Sequence, residues 1–253
     1  MEIVQVPAFQ DNYLYLLHDP DSGVTAVVDP GDAAPIQKAL SERGWQLDYI
    51  LNTHHHPDHV AGNLALKDTY RATIIGPAAD KDRIPGIDVA LSEGETFDIG
   101  NYTAAVIDVP GHTKGHIAWY FESVSALFCG DTLFAMGCGR LFEGTPEQML
   151  ASLDKIAALP DNTRIYCAHE YTMANADFAI TVDPDNVALG ARIRTVAALR
   201  ERRQPTVPSL LGLEKQTNPF LRSSSRALAD GVGLPGADRL EIFTKTRELK
   251  DNF

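Results

Sequence analysis

Residues 53–59 read THHHPDH, four histidines and an aspartate in seven positions, although the chain of 253 residues has only eight histidines in all. Imidazole and carboxylate are the donors that zinc, iron and manganese accept. His54 and His56 lie two apart, a spacing that turns both side chains to one face of an extended segment. Pro57 favours a helix start, and DHVAGNLAL reads as that helix running on, with Asp58 and His59 carried in its first turn. A lone histidine is more often a packing residue than a ligand. Four candidate donors in H-x-H-x-D-H order, clustered without a cation, would set dipoles and charges against one another. The pattern points to a metal site.

Three further stretches extend the same chemistry. PGHTKGH supplies His112, with His116 nearby; FCGDTLF supplies Asp131; YCAHEY supplies His169. Each polar residue ends an apolar run, where sheets flanked by helices usually place functional groups. Taken singly, Asp131 could be a helix cap and each histidine a satisfied core residue. Together, beside H-x-H-x-D-H, they read as one ligand set.

The elements that must position these residues are short strands punctuated by Asp, Asn, Pro and Gly. EIVQVPAF, NYLYLLHD, VTAVVDPG, LDYILNTH, ATIIGP, FDIGNYTAAVIDVPGH, GHIAWYFE, ALFCGDTLF and RIYCAHEY read as strands. AAPIQKALSERG reads as a helix stopped at Gly44, and EQMLASLDKIAAL as a second. Beyond about Tyr171 the texture turns helical, with NVALGARIRTVAALRERRQ followed by turns at PTVPS, TNPF and GLPG. A mixed sheet-and-helix domain over residues 1–173 and a smaller helical domain over 174–253 are expected.

Composition narrows the function. Hydrophobic residues make up 44 % and charged residues 22 %, as in an ordinary packed protein. Residues 1–184 hold 10 Lys/Arg against 26 Asp/Glu, a balance of −16; residues 185–253 hold 12 against 8, a balance of +4. The acidic bulk argues against general nucleic-acid binding. The basic tail either solvates helices or meets an anion. No apolar run approaches a membrane span, and MEIVQVPAFQ has neither the basic start nor the apolar core of an export signal. The three cysteines, Cys129, Cys138 and Cys167, are an odd number without a paired framework, so a reducing cytoplasm is the expected setting. A monomer is the default.

HHHPDH, GHTKGH, GDTLF and AHEY, in that order, resemble the metallo-β-lactamase superfamily. The resemblance implies an α+β fold, a four-layer αβ/βα sandwich with metals at one edge between two sheets. It implies that His54, His56 and His112 hold one metal, that Asp58, His59 and His169 hold a second, and that Asp131 bridges both. Two divalent ions are expected, zinc first, with iron or manganese as alternatives. His55 and His116 match no ligand position.

Within the superfamily, zinc β-lactamases of the commonest type place a cysteine where this chain has Asp131, and persulfide dioxygenases bind one iron and lack the helical tail. The chain is most similar to the glyoxalase II, or hydroxyacylglutathione hydrolase, family. QPTVPS, TNPF and TRELKDNF lie outside the metal core and make that match specific. It implies hydrolysis of a small-molecule glutathione thioester, S-D-lactoylglutathione, to glutathione and D-lactate, as in methylglyoxal detoxification. A metal-activated water would attack, with Asp58 as ligand and anchor for its proton. It also implies glutathione contacts at Arg140, Phe142, Tyr171, Arg247 and Lys250. Arg140 stands where other members have lysine and Phe142 where they have tyrosine, so a charge is kept and a hydroxyl lost. Another thioesterase, a persulfide dioxygenase, or a metal-binding protein without turnover are the alternatives.

Overall fold

The apolar runs near the N-terminus become strands, and a computed structural model describes all 253 residues. The chain divides into two compact units. The first comprises residues 1–108 and 114–130, the second 109–113 and 131–253.

In the first unit, β1 (Glu2–Ala8), β2 (Asn12–His18) and β3 (Thr25–Val28) pair antiparallel. Helix α1 (Ala33–Arg43) follows, capped by the Asp32 side chain at its start and by Gly44, at φ 69, at its end. The αL conformation at that terminus is one that glycine adopts without a Cβ penalty. β4 (Tyr49–Leu51), β5 (Thr73–Pro77) and β6 (Val89–Leu91) then extend the sheet in parallel from β3, giving the order β1-β2-β3-β4-β5-β6. Parallel strands covered by helices are apolar along their length. Val27, Ile50 and Ile74 are fully buried and share one cluster with Ile36 and Leu40 of α1 and with Leu66. Truncating one of these side chains to alanine should cost about 2–5 kcal/mol.

The β3–β4 register decides where chemistry can sit. Val28 pairs with Leu51, so the segments leaving both strands, Asp29 and Asn52–Thr53, emerge side by side.

The expected single helix after Pro57 is two, α2 (Pro57–Val60) and α3 (Asn63–Tyr70). The break has a tertiary cause. Gly62 N–H donates to Pro30 O at 2.8 Å, and a Cβ at Gly62 would collide with that carbonyl. The early part of the expectation holds: Pro57 is the first helical residue, and Asp58 and His59 lie in that turn.

FDIGNYTAAVIDVPGH, expected as one strand, folds as a hairpin of β7 (Thr96–Ile99) and β8 (Tyr102–Asp108). Its turn is fixed by Asp19, which accepts from Asn101 N at 2.8 Å and Asn101 Nδ2 at 2.9 Å. β9 (Ile117–Phe121) and β10 (Ala126–Gly130) continue the antiparallel order β10-β9-β8-β7.

The second unit begins with the short hairpin of β11 (Leu133–Phe134) and β12 (Gly137–Cys138). Helix α4 (Pro146–Ala157) has a complete capping box between Thr145 and Gln148. β13 (Arg164–Cys167) leads to α5 (Thr172–Val182) and α6 (Val187–Glu201), which bury Ala176, Ala179, Leu189 and Val196 with Met136. β14 (Ser209–Leu210) pairs antiparallel with β13, and α7 (Leu211–Thr217), α8 (Arg226–Gly231) and α9 (Arg239–Asp251) complete the chain.

Two motifs of the tail brace this unit. Asn218 of TNPF donates to Phe134 O at 3.0 Å and Gly137 O at 2.9 Å, holding both strands of the hairpin. Thr206 of QPTVPS donates through its backbone N–H and its hydroxyl to Glu170, the residue after His169. In the basic stretch with arginines at 200, 202 and 203, Arg200 is engaged: it donates to Gln204 O at 2.9 Å and pairs with Glu170 at 3.5 Å. No helix is long and apolar enough to cross a membrane.

Candidate metal centre

In the first unit the donors cluster in the loop after β4 and in the turn of α2. His54 and His59 are buried, and Asp58 keeps 42 % of its side chain exposed. The His54 ring lies 4.7 Å from that of His56 and 4.1 Å from that of His59. Rings this close, from three potential ligands, need an orienting framework.

That framework is Asp29, at the end of β3. Its carboxylate accepts from Thr53 N at 2.7 Å, from the Thr53 hydroxyl at 2.6 Å and from His59 Nδ1 at 3.1 Å. The Thr53 hydroxyl, having given its proton to Asp29, is left to accept from His54 Nδ1 at 3.0 Å. Both imidazoles are thus tied through Nδ1–H, which puts the Nε2 lone pair forward as donor. Asp29, His54 and His59 themselves form a group of metal-binding residue types. With three protein donors already on its two oxygens, the Asp29 carboxylate serves here as a support for the histidines. Asn12 in turn donates to Asp58 Oδ2 at 3.0 Å, and His59 Nε2 lies 3.4 Å from that oxygen.

His55 and His116 sit differently. His55 Nδ1 is bound to Asp80 at 2.9 Å, and its Nε2 meets Arg83. His116 donates from Nδ1 to Ile117 O at 3.0 Å and stacks on His54 with centroids 4.5 Å apart.

The second unit holds the other three expected ligands together. Asp131 lies between two imidazoles, with Oδ2 3.3 Å from His112 Nε2 and Oδ1 3.4 Å from His169 Nε2. Each carboxylate oxygen therefore faces a different histidine, the disposition a bridging ligand needs. His112 is oriented from behind, donating Nδ1–H to Arg140 O at 2.8 Å. The approach is close enough that a Cβ at Gly139 would strike Asp131 O. His169 is stacked on Tyr171, centroids 4.6 Å apart and planes within 4°.

The five expected substrate residues also lie in this unit, in two environments. Phe142, 62 % exposed, sets its ring against His112 at 5.2 Å; Tyr171 is 37 % exposed beside His169. Arg247, 6 % exposed, donates to Cys138 O at 2.9 Å and lies 5.0 Å over the Phe220 ring. Lys250 donates to Ala174 O at 2.8 Å, 5.3 Å from the Phe178 and Phe253 rings. Burial, and then the Arg247 charge, lowers the Lys250 pKa below its ordinary value. Asp251 is shared by Arg140 Nε at 3.3 Å and Arg247 Nη2 at 3.0 Å. Burial pushes the Cys138 thiol up to about 11, although Arg247 acts the other way.

Asp29, Asn12, Glu170 and Asp251 are not singled out by motif spacing. Asp29 carries the one available signal, since VVDPG ends an apolar run in a carboxylate just as FCGD does.

Imidazoles and carboxylates, several held through the nitrogen that a metal does not need, make clusters able to bind metal ions. Known proteins agree with this. The model of the metallo-beta-lactamase superfamily matches residues 9–169, and that of the hydroxyacylglutathione hydrolase C-terminus matches residues 170–253. Among solved structures, ETHE1 from Myxococcus xanthus superposes with a TM-score of 0.71 at 23 % identity, over 98 % of this chain and 90 % of that one. The BLEG-1 B3 metallo-beta-lactamase gives 0.67 at 24 %, over 87 % and 99 %. These likenesses show the metallo-β-lactamase fold, with the helical region at the C-terminal end. A hydroxyacylglutathione hydrolase of Methylococcus capsulatus is 56 % identical over 253 residues, covering 100 % of this chain and 99 % of that relative. One of Ruegeria pomeroyi is 53 % identical over the same length, again covering 100 % and 99 %. With both models matched and relatives this similar over the full length, the chain belongs to the hydroxyacylglutathione hydrolase family of the metallo-β-lactamase superfamily.

Proposed function

We propose that this chain hydrolyses 2-hydroxyacylglutathione thioesters, S-D-lactoylglutathione foremost, to glutathione and the hydroxy acid D-lactate. Two divalent ions, zinc first, would be held by His54, His56 and His112 and by Asp58, His59 and His169, with Asp131 as the shared ligand. The observation that carries the reading is the Asp131 carboxylate facing one imidazole with each oxygen. The presence of His and Asp clusters able to bind metal ions supports the same reading.

When bound, such ions lower the pKa of water and polarise a carbonyl. The remaining tasks fall to the chain. Asp58, steadied by Asn12 on Oδ2, would anchor the proton of the attacking water at Oδ1. Asp29 fixes the tautomers of His54 and His59. The leaving group is a thiol with a reference pKa of about 8.5, so it departs as thiolate without a dedicated acid. Cys138 is no nucleophile at neutral pH, since burial keeps its thiol protonated.

Functionally we divide the chain at 173/174, with the catalytic domain before it and a helical domain after it that adds glutathione contacts; the two family models meeting at 169/170 support this. Arg140, Phe142, Tyr171, Arg247 and Lys250 would hold the tripeptide. Arg140, Arg247 and Lys250 are three cations about two carboxylates, Asp177 and Asp251, a local excess of positive charge that suits an anionic ligand in a chain of net charge −12. A monomer working in a reducing cytoplasm fits the three free, buried cysteines.

The test pairs metal analysis of purified protein with a thiol-release assay. Two metals per chain and fast release from lactoylglutathione are expected. One metal, or equal rates on a thioester lacking the peptide, would overturn the reading.

A further inference from the structure

Asp251 is the last residue of α9. A carboxylate is disfavoured there, because the helix dipole places negative charge at that end; Asp251 offsets this by pairing with Arg247 one turn earlier in the same helix, but that pair does not account for its contact with Arg140. Arg140 Nε and Arg247 Nη2 converge on a single oxygen, Oδ1, at 3.3 and 3.0 Å. The two guanidiniums are not equivalent. Arg247 is buried, bonded to Cys138 O and set over Phe220, so it cannot move away. Arg140 has 56 % of its side chain exposed. Its own carbonyl is the acceptor for His112 Nδ1, which puts this cation on the loop behind a metal ligand.

We infer that Asp251 is an internal stand-in for the ligand's carboxylate: it holds Arg140 and Arg247 converged in the empty protein and competes with the anionic tripeptide for Arg140. This rests on the glutathione reading above and adds a specificity-determining residue to it. An arriving carboxylate offers two oxygens to a planar guanidinium, a better match than the single-oxygen contact it displaces. Asp251 then remains on Arg247, and its negative charge stays close to the ligand. The residue thereby weakens the binding of substrate and of product alike. Glutathione is the common part of both, so the weakening speeds product departure at the expense of affinity.

Asp251→Asn keeps the shape and removes the charge. The KM for lactoylglutathione should fall about two- to fivefold, the range expected of one partly exposed ion pair. Product inhibition by glutathione should tighten by the same factor, and both gains should shrink at high salt. The melting temperature should fall by a few degrees, because buried Arg247 keeps a hydrogen-bond acceptor but loses its counter-charge, and Asp251→Ser should move KM in the same direction. A merely structural role for Asp251 would lower the melting temperature without tightening glutathione. A KM that rises or stays still in both variants overturns the inference. The unmodified enzyme provides the separate check: if it does not prefer lactoylglutathione to a short thioester, the functional reading itself has failed, whatever Asp251 does.

Discussion

Asp29 and His59 are 30 positions apart in the chain, yet the Asp29 carboxylate takes the His59 Nδ1–H at 3.1 Å. The same carboxylate reaches His54 through the Thr53 hydroxyl. One buried acid thus sets the tautomer of two proposed ligands. Asp29→Asn removes the charge that favours Nδ1–H on both rings and should weaken metal binding about 10- to 100-fold. Competition with a chelator of known affinity reads this directly. Thr53→Val should give a smaller loss, since His59 keeps its own bond to Asp29. Equal metal affinity in Asp29→Asn and the unmodified protein would show that the histidines are oriented by something else.

Asp131→Ala and His55→Ala form a contrasting pair. Asp131 is the carboxylate between His112 and His169, so its loss should deplete both metals. His55 spends its ring on Asp80 and Arg83 and should leave metal content unchanged, at a cost of about 1–3 kcal/mol from the buried Asp80 left short of a partner. Inductively coupled plasma analysis of the two variants decides the matter: similar depletion in both would refute the ligand assignment.

Much of the site is legible in the sequence because its donors are local. H-x-H-x-D-H sits within six residues, and Pro57 at a helix start needs no tertiary information. What the sequence hides depends on partners far away along the chain. Gly62 reads as one more residue of a helix until Pro30 O takes its N–H. The Gly100–Asn101 pair does carry a hairpin signal between two apolar runs, but the acid that secures the turn, Asp19, lies 82 residues earlier. Asp29 looks like strand punctuation until the β3–β4 register brings it beside Thr53. Arg247 and Lys250, three apart in TRELK, do lie in one helix. Their different burial follows from the strand residue Cys138 and the rings of Phe178 and Phe220, none of which is near them in sequence.

Asp19 predicts a pH dependence. The Ser22 hydroxyl, above all, with the backbone N–H groups of Asn101 and Asp21, holds its carboxyl down at about 2 from an ordinary 3.8. The folded state therefore binds this proton less readily than the unfolded chain. The stability it contributes is complete above pH 4 and is lost as pH falls from about 4 towards 2. Asp19→Asn should lower the melting temperature at pH 7, with the gap to the unmodified protein narrowing over that acid range. A gap that does not narrow would mean that the charge of Asp19 is not what fixes the Asn101 turn.

Cysteine chemistry can be removed outright. Cys129, Cys138 and Cys167 are all free and buried, and the thiol nearest the basic cluster, Cys138, is pushed up to about 11. A triple cysteine-to-alanine variant should keep most of its turnover number while losing about 1 kcal/mol per site. Loss of turnover with fold and metal content intact would point to a thiol nucleophile in place of water.

Arg247 and Lys250 should separate in a way that their spacing alone does not suggest. Both are proposed to meet glutathione, so each alanine variant should raise KM on lactoylglutathione. A charged hydrogen bond shielded from water is worth roughly 1.5–3 kcal/mol, and 1.4 kcal/mol is about tenfold, so tenfold or more is expected at Arg247. The partly exposed Lys250 should give less, about three- to tenfold. The turnover number should change little in either, because contacts to the tripeptide are alike in ground and transition state. Stability divides them more sharply. Arg247→Ala loses the bond to Cys138 O, the Phe220 contact and the partner of Asp251. Breaking a buried charge pair commonly costs about 3–5 kcal/mol; the partial exposure of Asp251 reduces this to about 2–4. At roughly 2–4 °C per kcal/mol for a chain of this size, the melting temperature should drop by about 5–10 °C. Lys250→Ala loses one bond to Ala174 O and two ring contacts near the surface and should drop it by only about 2–4 °C. Calorimetry alongside steady-state kinetics on lactoylglutathione and on a short thioester completes the test. If Arg247→Ala melts like the unmodified protein, its buried contacts do not stabilise the fold; if it is impaired equally on both substrates, the tail does not read glutathione.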